Sequence, residues 1–181
     1  MFNISDEIIV NNKKYIIVSF LGKGKGGYSY LAKYESSFYV LKKIHHEPCS
    51  FYTFSNKIES EENDYYRLKS INLRMSKLID IDKDNEIIIK QYIKGKTILD
   101  LILDDIDVNK YMNQLIEMLP NLYNHHINID YHPSNFVVNE EDDLIYYIDF
   151  ECNDYSRQWD FNSWGKSTWD KSYLLKERNL K

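Results

Sequence analysis

The stretch NIDYHPSN (128–135) sets Asp130 five residues ahead of Asn135, with Pro133 fixing the loop between them. Two short β-prone runs follow, FVV (136–138) and LIYYID (144–149), around the acidic turn NEEDD. If they fold back on one another, Asn135 and Asp149 flank the ends of one hairpin. Their amide and carboxylate oxygens suit Mg²⁺, which keeps waters and substrate phosphates beside a few protein ligands. Asp130, not needed as a ligand, is then placed to accept a proton from an attacking hydroxyl.

Three further features point to phosphate chemistry. Gly22, Gly24, Gly26 and Gly27 lie in LGKGKGGYSYLA (21–32), between two β-prone runs. Glycines at a hairpin tip let backbone N–H groups approach phosphate oxygens without hindrance from a Cβ. A dinucleotide-binding G-x-G-x-x-G must open a helix, and this one enters a strand. Lys42, in YVLKK, alternates with Leu41 and Lys43 along a strand, so one lysine faces a site while its neighbour is solvated. A carboxylate early in the next helix could hold that ammonium towards phosphates. The sequence offers Glu61 and Glu62; the spacing of Glu61 to Tyr65 and Leu68 favours Glu61, as it shares their packed face.

The elements that must position these residues are legible in outline. KKYIIVSFLG (13–22), YSYLAKYE (28–35), SFYVLKKI (37–44), KLIDI (77–81) and EIIIKQYI (86–93) read as five strands, and 55–71 as an amphipathic helix. After Gly95 the texture turns helical, in TILDLILDD (97–105) and VNKYMNQLIEMLPNLYNHH (108–126), with Pro120 expected to bend or end the second helix early. The expected class is α+β: one domain over 1–181, with an N-lobe to about residue 93, a hinge at 91–96 and a reduced C-lobe from 97. A cleft between such lobes is a natural ligand site.

Bulk properties exclude several classes. The 181 residues carry a net charge of -5, against nucleic-acid binding as the main role, and 15% aromatics, against long disorder. No apolar run spans a bilayer and the start lacks a secretion signal. Cys49 and Cys152 form no metal or redox motif and read as reduced thiols of a cytoplasmic protein. His45-His46 and His125-His126 are adjacent pairs with no completing ligand set, and GKST (165–168) lacks the glycine that a P-loop needs at position 160. Trp159, Trp164 and Trp169 fit no single helical face and read as packing.

Taken in order, these motifs resemble the protein-kinase superfamily over about residues 15–151. GKGKGGYS is similar to G-x-G-x-x-G-x-V, YVLK to V-A-I-K, NIDYHPSN to H-R-D-L-x-x-x-N and DFE (149–151) to D-F-G. The resemblance implies a bilobal fold, with a five-stranded N-lobe sheet plus one helix and a truncated, mainly helical C-lobe. It implies ATP and Mg²⁺ as cofactors. Gly22, Gly24, Gly26 and Gly27 would cover the phosphates, Lys42 held by Glu61 would contact them, and the backbone of Gln91, Tyr92 and Ile93 would meet the adenine. Asn135 and Asp149 would bind Mg²⁺, and Asp130 would serve the acceptor hydroxyl.

The departures matter too. Asn128 and Ile129 replace the His and Arg of the catalytic loop, His132 stands where many protein kinases have Lys, and Glu151 replaces the last Gly of D-F-G. The D-x-H-P-x-N and D-F-E wording resembles the aminoglycoside and choline phosphotransferase branch and small bacterial kinase-like proteins. There is no A-P-E motif, and 32 residues follow Asp149 (181 − 149), few for the usual helical platform. The implied activity is transfer of the γ-phosphate of ATP to a hydroxyl, foremost as a Ser/Thr-type protein kinase. A small-molecule kinase and a nucleotide-binding pseudokinase that works with a protein partner are the alternatives.

Overall fold

A computed structural model describes residues 1–47 and 56–179, with side chains to residue 176, so Cys49 lies outside the described residues. The chain divides into two units. The first is Met1–Asn63 with Ser76–Tyr92, and the second is Asp64–Met75 with Ile93–Lys181.

The first unit is an antiparallel sheet of six strands: β1 (Glu7–Val10), β2 (Lys13–Lys23), β3 (Gly27–Tyr34), β4 (Ser37–Ile44), β5 (Leu78–Asp82) and β6 (Ile87–Gln91). Their order is β1-β2-β3-β4-β6-β5. Alternation along the strands turns Tyr15, Ile17, Tyr28, Tyr30, Ala32, Leu41, Ile87 and Ile89 into one core. Six strands replace the five expected. The extra one, EIIV, is too short to stand out by pattern. It is set by Asn11 and Asn12, both at positive φ (45° and 66°), which close a two-residue hairpin onto Lys13.

The helix α1 (Lys57–Ser70) follows β4. Its start, Lys57–Asn63, belongs to the first unit; Tyr65 and Leu68, further along, are buried in the second.

The second unit holds the helices α2 (Ile98–Leu103), α3 (Asn109–Asn124) and α4 (Lys171–Asn179) and the strands β7 (Gly95–Thr97), β8 (Ile127–Ile129), β9 (Phe136–Asn139), β10 (Ile145–Tyr147) and β11 (Cys152–Asp154). The strands pair as β10-β9-β7 and β11-β8, all antiparallel. A capping box opens α2: Asp100 N–H donates to Thr97 Oγ1 (3.0 Å) and Thr97 N–H to Asp100 Oδ2 (3.2 Å). Pro120 does not end α3, which runs on to Asn124. Pro120 is exposed, so the single lost hydrogen bond faces water, while buried Leu115, Met118, Leu119 and Leu122 hold the helix from below.

The 157–169 region is two 3₁₀ segments, Arg157–Trp159 and Gly165–Trp169. Trp169 is buried, whereas Trp159 is 55% exposed and stacks edge-on to Trp164. Trp169 is therefore core, and Trp164 packs against that core from partial burial.

Gly95 begins β7 where its missing side chain would fall on the Val138 carbonyl of β9. Gly95→Ala should cost about 3 kcal/mol, because backbone cannot yield as a side-chain tip can. Urea unfolding of the two proteins checks this.

Candidate active site

The site residues of the first unit gather around the β2–β3 hairpin. On β4, Lys42 pairs in register with Ser29 of β3 and Ile88 of β6. Its ammonium makes an ion pair with Glu61 Oε1, with side-chain exposures of 12% and 13%. Glu62 turns away to Lys83 (2.6 Å). Of the two adjacent carboxylates, the structure thus joins Glu61 to Lys42. A second lysine, Lys90 of β6, lies 4.0 Å from Glu61 Oε2 and is 4% exposed. The alternation of β6 gave no sign of it, since IIIK reads as apolar strand with a solvated end.

The four glycines are not equivalent. A side chain at Gly22 would meet nothing within 4 Å, and one at Gly24 only the Gly27 carbonyl at 3.9 Å. At Gly27 it would lie 2.6 Å from the Lys43 carbonyl. At Gly26 it would lie 3.2 Å from Glu61 Oε1 and 3.5 Å from Lys42 Nζ. Gly26 is therefore the position whose bareness opens the space beside the ion pair.

The tip carbonyls are held from the strand side. His45 Nε2 donates to Gly24 C=O (3.0 Å), Lys57 Nζ lies 3.4 Å from Lys25 C=O and His45 N–H donates to Gly26 C=O (3.3 Å). Because a peptide N–H points opposite the preceding C=O, the amides of Lys25 and Gly26 turn away from those donors. That is the arrangement an anion-binding loop needs. His45 and buried Lys57, which also donates to His45 C=O (2.6 Å), are supports of the hairpin that sequence reasoning missed. The only signal for Lys57 was its place at the helix start. His46 binds Glu86 (2.8 Å). Among the described residues, no group of three His, Cys, Asp or Glu could hold a metal.

The hairpin is also clasped from its flanks. Glu47 takes Lys23 (2.5 Å) and the Tyr28 hydroxyl, one on each side of the glycines. The hydrogen bond from Lys23, then that from Tyr28, pulls the Glu47 carboxyl down to about 2.

In the second unit, β9 and β10 form the expected hairpin, with Phe136 opposite Tyr147. That register places Asn135 and Asp149 at one end of it. Ile148 N–H donates to Asn135 C=O (2.9 Å), and Asn135 Nδ2 to Asp130 C=O (3.3 Å). Asp130 Oδ1 accepts from His132 N–H (3.0 Å), and its own N–H donates to the Tyr147 hydroxyl (3.3 Å). Pro133–Asn135 is a 3₁₀ turn that His132 Nδ1 caps by accepting from Ser134 N–H (3.3 Å). Asp149 Oδ1 accepts from Phe150 N–H (2.8 Å), and the Phe150 ring is buried against Tyr65 (4.8 Å). Asn135 Nδ2 is turned to Asp130, its Oδ1 lies 3.5 Å from the Ser134 hydroxyl, and this oxygen and the Asp149 carboxylate are hard donors of the kind Mg²⁺ takes.

Tyr147 is fully buried, and its hydroxyl donates to Glu151 C=O (2.8 Å). Burial, then the charges of Asp149, Asp130 and Glu151, raise its pKa well above the ordinary phenol value. Trp169 Nε1 donates to Tyr131 C=O (2.9 Å), and a side chain at Gly165 would lie 2.6 Å from Tyr131 Cβ. GKST is thus a packing segment against the Asp130 loop. Neither Tyr147 nor Trp169 stood out by spacing, since both contacts exist only in three dimensions.

Gln91 N–H donates to Lys77 C=O (2.8 Å), and Gln91 Oε1 accepts from Lys77 N–H (3.4 Å). Tyr92 and Ile93 lie outside regular structure, and the unit boundary falls between them.

No protein-family model and no curated protein sequence matches the chain. Solved structures do. One is a crystal structure of the BubR1 kinase domain, at a TM-score of 0.63 and 15% identity, covering 86% of this chain. The fold is therefore protein-kinase-like. The match spans 53% of that kinase domain, so this chain corresponds to about half its length.

Two outcomes follow from the geometry. Glu61→Gln breaks a buried ion pair and should cost on the order of 3 kcal/mol, whereas Glu62→Gln, at a half-exposed pair, should cost less than about 0.5 kcal/mol. Urea unfolding separates them. In an NMR titration the Glu47 carboxyl should have its midpoint at about 2. A depressed carboxylate pKa contributes stability above the ordinary range that is lost as pH falls through the folded value. Lys23→Met should return the midpoint towards the ordinary range.

Proposed function

We propose that the protein is an ATP- and Mg²⁺-dependent phosphotransferase that moves the γ-phosphate of ATP to a hydroxyl, foremost of Ser or Thr in a protein. The observation that carries this reading is the β9–β10 hairpin, which collects Asp130, Asn135 and Asp149 at its open end. The Lys42–Glu61 pair beside bare Gly26 supports it from the first unit.

In this reading Lys42, kept in place by Glu61, meets phosphate oxygens with an ammonium, and the Lys25 and Gly26 amides add neutral donors. Asn135 and Asp149 hold Mg²⁺, which offsets charge on the phosphates when bound. Asp130, fixed through its N–H and C=O, orients the acceptor hydroxyl and takes its proton. The acceptor oxygen forms a bond to the γ-phosphorus as the bond to the β-bridging oxygen breaks, and ADP leaves. Positioning and charge supply most of the catalysis, so few side chains suffice.

Transfer from γ-labelled ATP with Mg²⁺, to the protein itself or to a generic protein acceptor, tests this. Asp130→Ala should lower the rate by about 10²–10⁴-fold while ATP still stabilises the fold, the range expected on losing a general base. An Asp130→Ala protein that transfers phosphate as fast as the wild type would sink the assignment.

A further inference from the structure

The Tyr147 hydroxyl joins two segments that the proposed reading gives different tasks. It accepts the Asp130 N–H (3.3 Å) and donates to the Glu151 C=O (2.8 Å). The first bond holds the loop that carries the acceptor-side carboxylate. The second holds the segment Asp149–Phe150–Glu151, which carries the metal-side carboxylate. The phenol is fully buried, and its ring stacks on Phe136, the residue after Asn135 (5.4 Å). Its own backbone is anchored independently, because Tyr147 N–H donates to Arg74 C=O (3.1 Å). One rigid side chain therefore reaches Asp130 and Glu151 and packs beside Asn135. No motif in the sequence names it.

We infer that Tyr147 is a positioning residue which fixes Asp130 relative to the Asn135–Asp149 pair, so that the acceptor-side and metal-side groups keep one geometry. This rests on the phosphotransferase reading for its catalytic consequence, but the tie itself is independent of it. A neutral phenol suits the task. It donates and accepts at once, which no carboxylate or ammonium there would do, and it adds no charge among three carboxylates. Removing the oxygen leaves the Asp130 N–H and the Glu151 C=O to find new partners, and the loop shifts to find them. Phosphoryl transfer is sensitive to displacements well under the length of a bond to solvent, so rate falls before binding does.

Tyr147→Phe keeps the ring and its packing and removes only the oxygen. Tyr146→Phe is the control, since Tyr146 donates to Asp142 Oδ2 (2.7 Å) away from these segments. Three readouts are taken on the full chain: hydrogen exchange at the Asp130 amide, binding of Mn²⁺ alone by water-proton relaxation, and kcat and KM for ATP. Tyr147→Phe should speed exchange at Asp130 at least about tenfold and weaken Mn²⁺ binding several-fold. It should also lower kcat about 10- to 100-fold with KM for ATP within about twofold. Tyr146→Phe should move none of them.

A loss of thermal stability in Tyr147→Phe with exchange, Mn²⁺ binding and kcat unchanged would mean a structural residue only and overturns the inference. Unchanged kcat despite faster exchange overturns it as well. If the wild type transfers phosphate to no acceptor, the phosphotransferase reading has failed on its own. Exchange and Mn²⁺ binding then still decide whether Tyr147 ties Asp130 to the Asn135–Asp149 pair.

Discussion

Three carboxylates, those of Asp130, Asp149 and Glu151, act together on the buried phenol of Tyr147. Gathering like charges near a low-dielectric core is unfavourable, and something must oppose their drift apart. The opposition comes from the main chain. The Ile148 N–H on the Asn135 carbonyl, the Asp130 N–H on the Tyr147 oxygen and the Phe150 N–H on Asp149 fix the backbone of both segments, whatever the side chains prefer. A hairpin of three paired positions would be too short to do this alone. It succeeds because Phe136 and Tyr147 are both fully buried, so the register cannot slip by one residue without turning both rings to water.

The first unit solves a different problem. Burying Lys42 and Glu61 takes two charges out of water, and an apolar pair of similar volume would serve stability as well or better. The pair is therefore better explained by position than by strength: it fixes an ammonium beside the one glycine whose missing side chain leaves room there. Lys57 and Lys90 add two more buried lysines in the same unit, one holding carbonyls of the glycine hairpin and the strand after it, the other facing Glu61. The Glu61 carboxylate and the carbonyls of Lys25 and His45 offset the cost of burying these ammonium groups.

The sequence carried much of this and hid the rest for identifiable reasons. Strands with alternating residues, such as those around Tyr15–Ile17 and Tyr28–Ala32, were legible, because period two and burial coincide there. Glu61 was favoured over Glu62 by its spacing to Tyr65 and Leu68, and only the ion pair with Lys42 chooses between them. The first strand was missed because its evidence is a pair of asparagines at positive φ rather than a hydrophobic run. The run through Pro120 was misjudged because the cost of a helical proline depends on which face it occupies, and no local rule states that. Lys57, His45, Lys90, Tyr147 and Trp169 are ordinary residues in the sequence. Each acquires its role only from a partner far along the chain, such as Trp169 on Tyr131 or Tyr147 on Asp130.

The places where this chain departs from the kinase pattern are also the places where its Trp-rich end is attached. Asn128 donates through Nδ2 to the Ser156 carbonyl (2.9 Å). Ile129 is 3% exposed and pairs with Cys152 across β8 and β11. Tyr131 gives its ring to Phe161 and its carbonyl to Trp169. An arginine at 129 would put an unpaired guanidinium into that core, and a charge so buried costs several kcal/mol or more. Asn128, Ile129 and Tyr131 thus attach the 152–169 segment to the loop. With Tyr147 gripping Asp130 and Trp169 gripping Tyr131, consecutive residues of the loop are held by aromatic side chains from two separate elements.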